Sequence, residues 1–164
     1  MKNLKKIFSG LFIAAALILV NSCDDEVAQL LPSMKATVDG EAWTSIFRLS
    51  TVTDSTIVIT GTPTASETAD KTIILTTFGV TEGTYSLNAG TLTADCAVAY
   101  KKTADATDGG DNYFVAYEAT IVISKLDTEN KKLSGTFNAK LRSTGNLAEE
   151  VIITNGTFDN LNYQ

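Results

Sequence analysis

The chain has 164 residues, with 13 bases against 19 acids, two cysteines and no histidine. The lack of histidine excludes Ser-His-Asp and Cys-His nucleophilic sites and removes the commonest zinc and copper ligand. The acidic balance argues against nucleic acid, which is gripped through basic contacts to phosphate.

The first 22 residues read as a secretory signal. Lys2, Lys5 and Lys6 precede an apolar run over residues 7–20. That run is shorter than the roughly 20 apolar residues a membrane span needs. It ends in Leu19-Val20-Asn21-Ser22-Cys23, which resembles a loose lipobox. The resemblance implies that the Cys23 thiol takes up diacylglycerol and that its freed amine is acylated. One acyl chain holds a protein only marginally, whereas several hold it stably. Asp24, Asp25 and Glu26 resemble the acidic export signal that sends Bacteroidetes lipoproteins to the outer face of the outer membrane. Residues 23–33 then read as a short acidic tether with Pro32 near its end. Without the signal the chain keeps 142 residues, 10 bases and 19 acids, a charge of −9. So acidic a body does not adhere electrostatically to anionic lipid, and the membrane is held through the lipid anchor alone.

Residues 34–164 read as one all-β domain. Residues 36–38 and 41–43 flank Asp39-Gly40, a strong short hairpin signal. Residues 46–52 and 56–60 flank Asp54-Ser55. Further strands are expected over 72–78, 84–87, 95–101, 113–125, 131–143 and 150–158. In the 131–143 segment Leu133, Gly135, Phe137, Ala139 and Leu141 alternate with polar residues, the period of a strand with one dry face. In the 113–125 segment Glu118 falls on the face of Phe114 and Val122. Asn155-Gly156 inside the last strand suggests a bulge or bend. The links are too short for helical crossovers. The fold expected is an antiparallel meander of about nine strands, closing into a small barrel or barrel-like sandwich to remove its edges. Trp43, Ile59, Leu75, Ile121, Phe137, Ile153 and Phe158 are the expected core.

Several segments resemble a family of uncharacterised Bacteroidetes lipoproteins. They are Lys35-Ala36-Thr37-Val38-Asp39-Gly40-Glu41-Ala42-Trp43-Thr44, Gly83-Thr84-Tyr85-Ser86-Leu87, Ile123-Ser124-Lys125-Leu126-Asp127, Lys132-Leu133-Ser134-Gly135-Thr136-Phe137 and Ile153-Thr154-Asn155-Gly156-Thr157-Phe158. The resemblance implies an extracytoplasmic β domain of unknown function and lends no catalytic residue.

Candidate chemistry is sparse. Cys96 shares an apolar-alternating face with Val98 and Tyr100, as a buried structural thiol would. Asp105, Asp108 and Asp111, with Gly109 and Gly110, form the densest acidic loop. Calcium takes such oxygen ligands, but the spacing is not that of an EF-hand, and a solvated loop with no metal is the reading kept. Glycoside hydrolysis needs two carboxylates across a cleft, and none of Glu41, Glu82, Glu118, Glu149 and Glu150 stands out as half of such a pair. Asp54-Ser55-Thr56 resembles a bacterial O-glycosylation motif with Ser55 as the acceptor. Asn155-Gly156-Thr157 is a sequon by pattern only. Trp43, Tyr85, Tyr100, Tyr113, Tyr117 and Tyr163 sit where core or rim residues belong, not as a coplanar sugar platform. No cofactor is expected, and neither ligand nor protein partner is identified. The reading is a lipid-anchored, non-catalytic cell-envelope domain that binds or decorates the surface. Three alternatives are a barrel holding a small apolar ligand, a carboxylate glycan hydrolase, and an adhesion subunit with an open edge or apolar patch.

Overall fold

The computed structural model describes residues 32–64, 70–102 and 112–164. The signal, Cys23, the acidic triplet and the tether up to residue 31 lie outside the described residues, as do Asp105, Asp108 and Asp111. What is described is all strand and turn, with no helix: β1 Ser33–Val38, β2 Glu41–Thr44, β3 Phe47–Val52, β4 Ile57–Thr62, β5 Thr72–Thr77, β6 Gly83–Asn88, β7 Thr93–Ala94, β8 Cys96–Lys101, β9 Tyr113–Asp127, β10 Lys132–Ser143 and β11 Glu150–Asn162.

The turns form where the sequence marks them. Asp39 and Gly40 both take positive φ, 50° and 84°, which turns β1 into β2. The paired left-handed residues of such a turn match the twist of the two strands. At the β3–β4 tip the Thr53 hydroxyl accepts from the Thr56 amide at 3.1 Å and leaves Asp54 and Ser55 at the exposed apex. Between β9 and β10 the Asp127 carboxylate accepts from the backbone and side-chain nitrogens of Asn130, each at 2.9 Å. Those bonds hold the Asp127 carboxyl below its ordinary pKa.

All the strand pairs are antiparallel, and nine strands run side by side in the order β2-β1-β11-β10-β9-β8-β5-β4-β3. This sheet curls into a half-barrel around one core. The antiparallel all-β expectation holds, and the order departs from a strict meander in two places. The first is β1, which lies beside β11 and so brings the start of the domain against its last strand. The second is the β6–β7 hairpin, which lies off the main path. The two outermost strands, β2 and β3, are separated in sequence only by Ser45 and Ile46. The Ser45 amide still bonds β1 at Met34, while the Ile46 amide already bonds Thr62 of β4. They are therefore two halves of one bent strand. Farther along β3, Gln164 donates to Ser50 and accepts from Val52, so backbone bonds join the β3 edge to the residues after β11.

The expectation that Glu118 shares the face of Phe114 is corrected by a β-bulge, while Glu118 and Val122 do share a face. Lys140 of β10 opposes Glu118, and the next residue, Leu141, opposes Ala116, so Tyr117 has no partner. An extra residue reverses the in-out alternation of everything beyond it. Phe114 points inward before the bulge; Ala119, Ile121 and Ile123 do so after it, and Glu118 is turned to solvent. The bulge also hands β9 from one neighbour to another. Residues 113–115 pair with β8, residues 118–123 pair with β6, and the Tyr117 carbonyl accepts from Ala89. The bulge expected at Asn155-Gly156 is present: the register shifts there against both β10 and β1, and Asn155 has φ 52°.

All seven expected core residues are buried, at 4% exposure or less. Phe137 and Phe158 stack with ring centres 6.4 Å apart. Phe158 fills the space beside Gly135, where a Cβ would run into its ring and into the Val122 carbonyl oxygen. Because one contact is backbone, a rotamer change does not relieve it. Gly135→Ala is expected to destabilise the domain by about 3 kcal/mol in urea unfolding, in the range for overpacked cores. A loss under about 1 kcal/mol would show that the sheet gives way there at little cost.

Candidate functional site

The acids weighed for catalysis are dispersed and individually engaged. Glu118 pairs with Lys140 across the strands at 3.1 Å, which raises the lysine's pKa. Glu150 accepts from Arg142 Nε at 3.0 Å and from the Tyr117 hydroxyl at 3.3 Å, while the Arg142 guanidinium lies 4.3 Å from the centre of the Tyr117 ring. Glu149 pairs with Lys102 at 3.0 Å. Glu82 accepts the Leu126 amide at 2.8 Å. Glu41 reaches Lys71 at 3.7 Å. Exposed pairs of this kind contribute at most about 1 kcal/mol each. They do fix which carboxylate faces which cation. Among the described residues no three Asp, Glu or Cys side chains converge on a point that would hold a metal.

The aromatic residues divide in two. Trp43, Tyr85 and Tyr100 are buried, and the Tyr85 hydroxyl is tied to the Thr81 backbone at 2.8 Å. Tyr113 is exposed, Tyr117 lies under Arg142, and the Tyr163 hydroxyl reaches the Asp127 carbonyl at 3.4 Å. They form no shared flat face. Ser55 is exposed at the β3–β4 tip. Asn155 and Thr157 are exposed, but they lie within β11 at its bulge.

Cys96 is buried, and its thiol donates to the Tyr85 carbonyl at 3.5 Å. Burial, reinforced by the nearby charge of Asp95, pushes its pKa from 9.0 up to about 11. Burial, with Asp39, Glu41 and Asp70 near it, pushes Tyr100 up to about 12. Both groups keep their protons in the folded state beyond the pH at which the unfolded chain gives them up. Their contribution to stability is therefore whole below pH 9 and is lost as pH rises through about 11 and then about 12. The urea midpoint should hold up to pH 9 and fall above it. At pH 8 iodoacetamide should label Cys96 only in urea; equal labelling rates with and without urea would contradict its burial.

One recess gathers groups of mixed chemistry. It lies at the end of the sheet where β1 turns into β2, bounded by the starts of β5 and β11 and the end of β8. Its volume is about 240 Å3, and it is lined by Val38, Asp39, Glu41, Ala42, Trp43, Lys71, Tyr100, Lys102 and Val151. The backbone holds its frame. Asp39 exchanges bonds with Ile152, its amide donating at 2.9 Å and its carboxylate accepting at 2.8 Å, and Lys71 donates its amide to the Lys102 carbonyl at 3.1 Å. Trp43 Nε1 donates to the Lys71 carbonyl at 2.7 Å and so ties β2 to β5 across the gap. The sequence singled out Glu41, Trp43 and Tyr100 separately, and the fold brings them to one place. It gave no role to Asp39 beyond the turn, nor to Lys71 and Lys102. The shared trait of these residues is that each sits where a strand begins or ends at the same end of the sheet.

No curated protein and no solved structure matches this chain. A family model described as a domain of unknown function, DUF6252, matches residues 31–162, up to the last residue of β11. The chain belongs to the DUF6252 family.

Proposed function

We propose that this protein is a lipid-anchored, non-catalytic domain of the cell envelope that binds a ligand or decorates the outer membrane surface. The observation that carries the proposal is the sequence Leu19-Val20-Asn21-Ser22-Cys23 at the end of a basic-then-apolar leader, followed by Asp24, Asp25 and Glu26. Pro32, the first described residue, follows Cys23 by nine positions. The non-catalytic reading draws support from the separate engagement of Glu41, Glu82, Glu118, Glu149 and Glu150. Against the hollow-barrel alternative stand the filled spaces beside two core glycines: Met34 and Trp43 occupy that of Gly61, and Phe158 that of Gly135. Cys23→Ser, expressed in the native host with labelled palmitate, should lose the label and either stay unprocessed or leave the membrane fraction. A labelled, mature Ser variant in the outer membrane would refute the anchor.

Ser55 is the proposed O-glycan acceptor, on the strength of its motif and its exposed position at a hairpin tip. The intact mass of protein from the native host should exceed the sequence mass by hexose increments that vanish in Ser55→Ala. An unmodified native mass would end that assignment.

A further inference from the structure

Tyr100 lines the recess beside the β1–β2 turn, and the residue is otherwise packed away at 4% exposure. It is therefore among the polar side chains that a molecule entering the recess would meet.

The lining sets the chemistry of what enters. Val38, Ala42, Trp43 and Val151 supply apolar surface. Asp39 and Glu41 supply acceptors, and Lys71 and Lys102 supply donors, with Lys71 facing Glu41 at 3.7 Å and Lys102 held by Glu149 at 3.0 Å. These charges already answer one another, so a ligand of either net charge would have to compete with a pair. A neutral ligand carrying many hydroxyls can donate to the carboxylates and accept from the ammoniums without disturbing either. Such bonds to charged groups are stronger than neutral ones. A recess of about 240 Å3 lies below the roughly 300 Å3 at which sites for drug-sized ligands begin, so it suits a single ring. An apolar wall beside balanced polar groups suits a ring with one C–H face and a hydroxylated edge.

We infer that the recess bounded by Asp39, Glu41, Trp43, Lys71, Tyr100 and Lys102 is a binding site for one neutral sugar ring, free or at the end of a glycan. This deepens the binding half of the proposed function and is independent of the lipid anchor. The site lies at the end of β1 away from Pro32. Six strand residues separate the two, about 20 Å at strand rise.

Trp43 is the chain's single tryptophan and lines the recess, so its fluorescence reports on this place alone. The full chain in detergent is titrated with glucose, galactose, mannose, xylose and N-acetylglucosamine, and in parallel with glycine, arginine and glutamate. At least one sugar should change Trp43 emission saturably, while the charged and zwitterionic probes should not. Tyr100→Phe should weaken that sugar about fivefold, as the loss of one hydrogen bond implies. Ala42→Phe fills the recess from an exposed position that the fold does not depend on, and should abolish the response. Three results would overturn the assignment: no saturable response to any sugar, saturation by glycine, arginine or glutamate instead, or an unchanged sugar response in a folded Ala42→Phe variant. Failure of the Cys23→Ser test would leave these outcomes as they are, so the two readings are judged separately.

Discussion

A sheet nine strands wide buries one of its faces only by bending, and here the bending is concentrated in the three long strands. The register between β9 and β10 shifts twice, and so does that between β10 and β11. Two of these irregularities fall on Asn155 and Asn160, each with φ 52°. Asparagine tolerates that left-handed conformation better than other residues with a Cβ. At Gly156 the bend brings the Phe137 carbonyl and ring so close that a Cβ would collide with both. Phe137 and Phe158 then stack on the inner side of the curve. The core, the handover of β9 from β8 to β6, and the approach of β2 to β5 all follow from where these strands yield.

The parts of the fold written in local patterns were legible. Alternation in β10 identifies its buried face residue by residue, because a strand with one wet face leaves no other solution. Asp39-Gly40 and Asp127 mark turns through their own backbone and side-chain chemistry, and Asp54-Ser55 marks a polar tip that the neighbouring Thr53 hydroxyl closes. Asn155-Gly156 advertises a bend. The bulge at Tyr117 does not. It lies in a run of aromatic and β-branched residues where both phases of alternation look apolar, and its cause lies in neighbouring strands: β6 and β8 must share one edge of β9. The placement of β1 beside β11 and the pairing of β5 with β8 are likewise decided across the sheet, by edges seeking partners.

The recess was illegible for the same reason. Glu41, Lys71, Tyr100 and Lys102 are far apart in sequence and unremarkable singly. Each is a strand-end residue, and strand ends of an antiparallel sheet collect at two rims. Only the order of strands determines which of them share a rim. Trp43 could be placed in the core from its neighbours in sequence, but its bond to the Lys71 carbonyl, which ties the rim together, depends on that order. In such a fold chemistry accumulates where strands stop, while the regular middle of the sheet carries stability.

The bent strand lends one half to each end of the strand order, β2 pairing with β1 and β3 with β4. Every strand pair along that order is antiparallel. Where the residues after β11 meet β3 the sense differs: Gln164 brackets Thr51, donating to Ser50 and accepting from Val52 as parallel neighbours do. An alternating lattice and a neighbour of the wrong sense thus meet at one place, as at a domain wall between antiparallel spins, and two backbone bonds carry the whole mismatch.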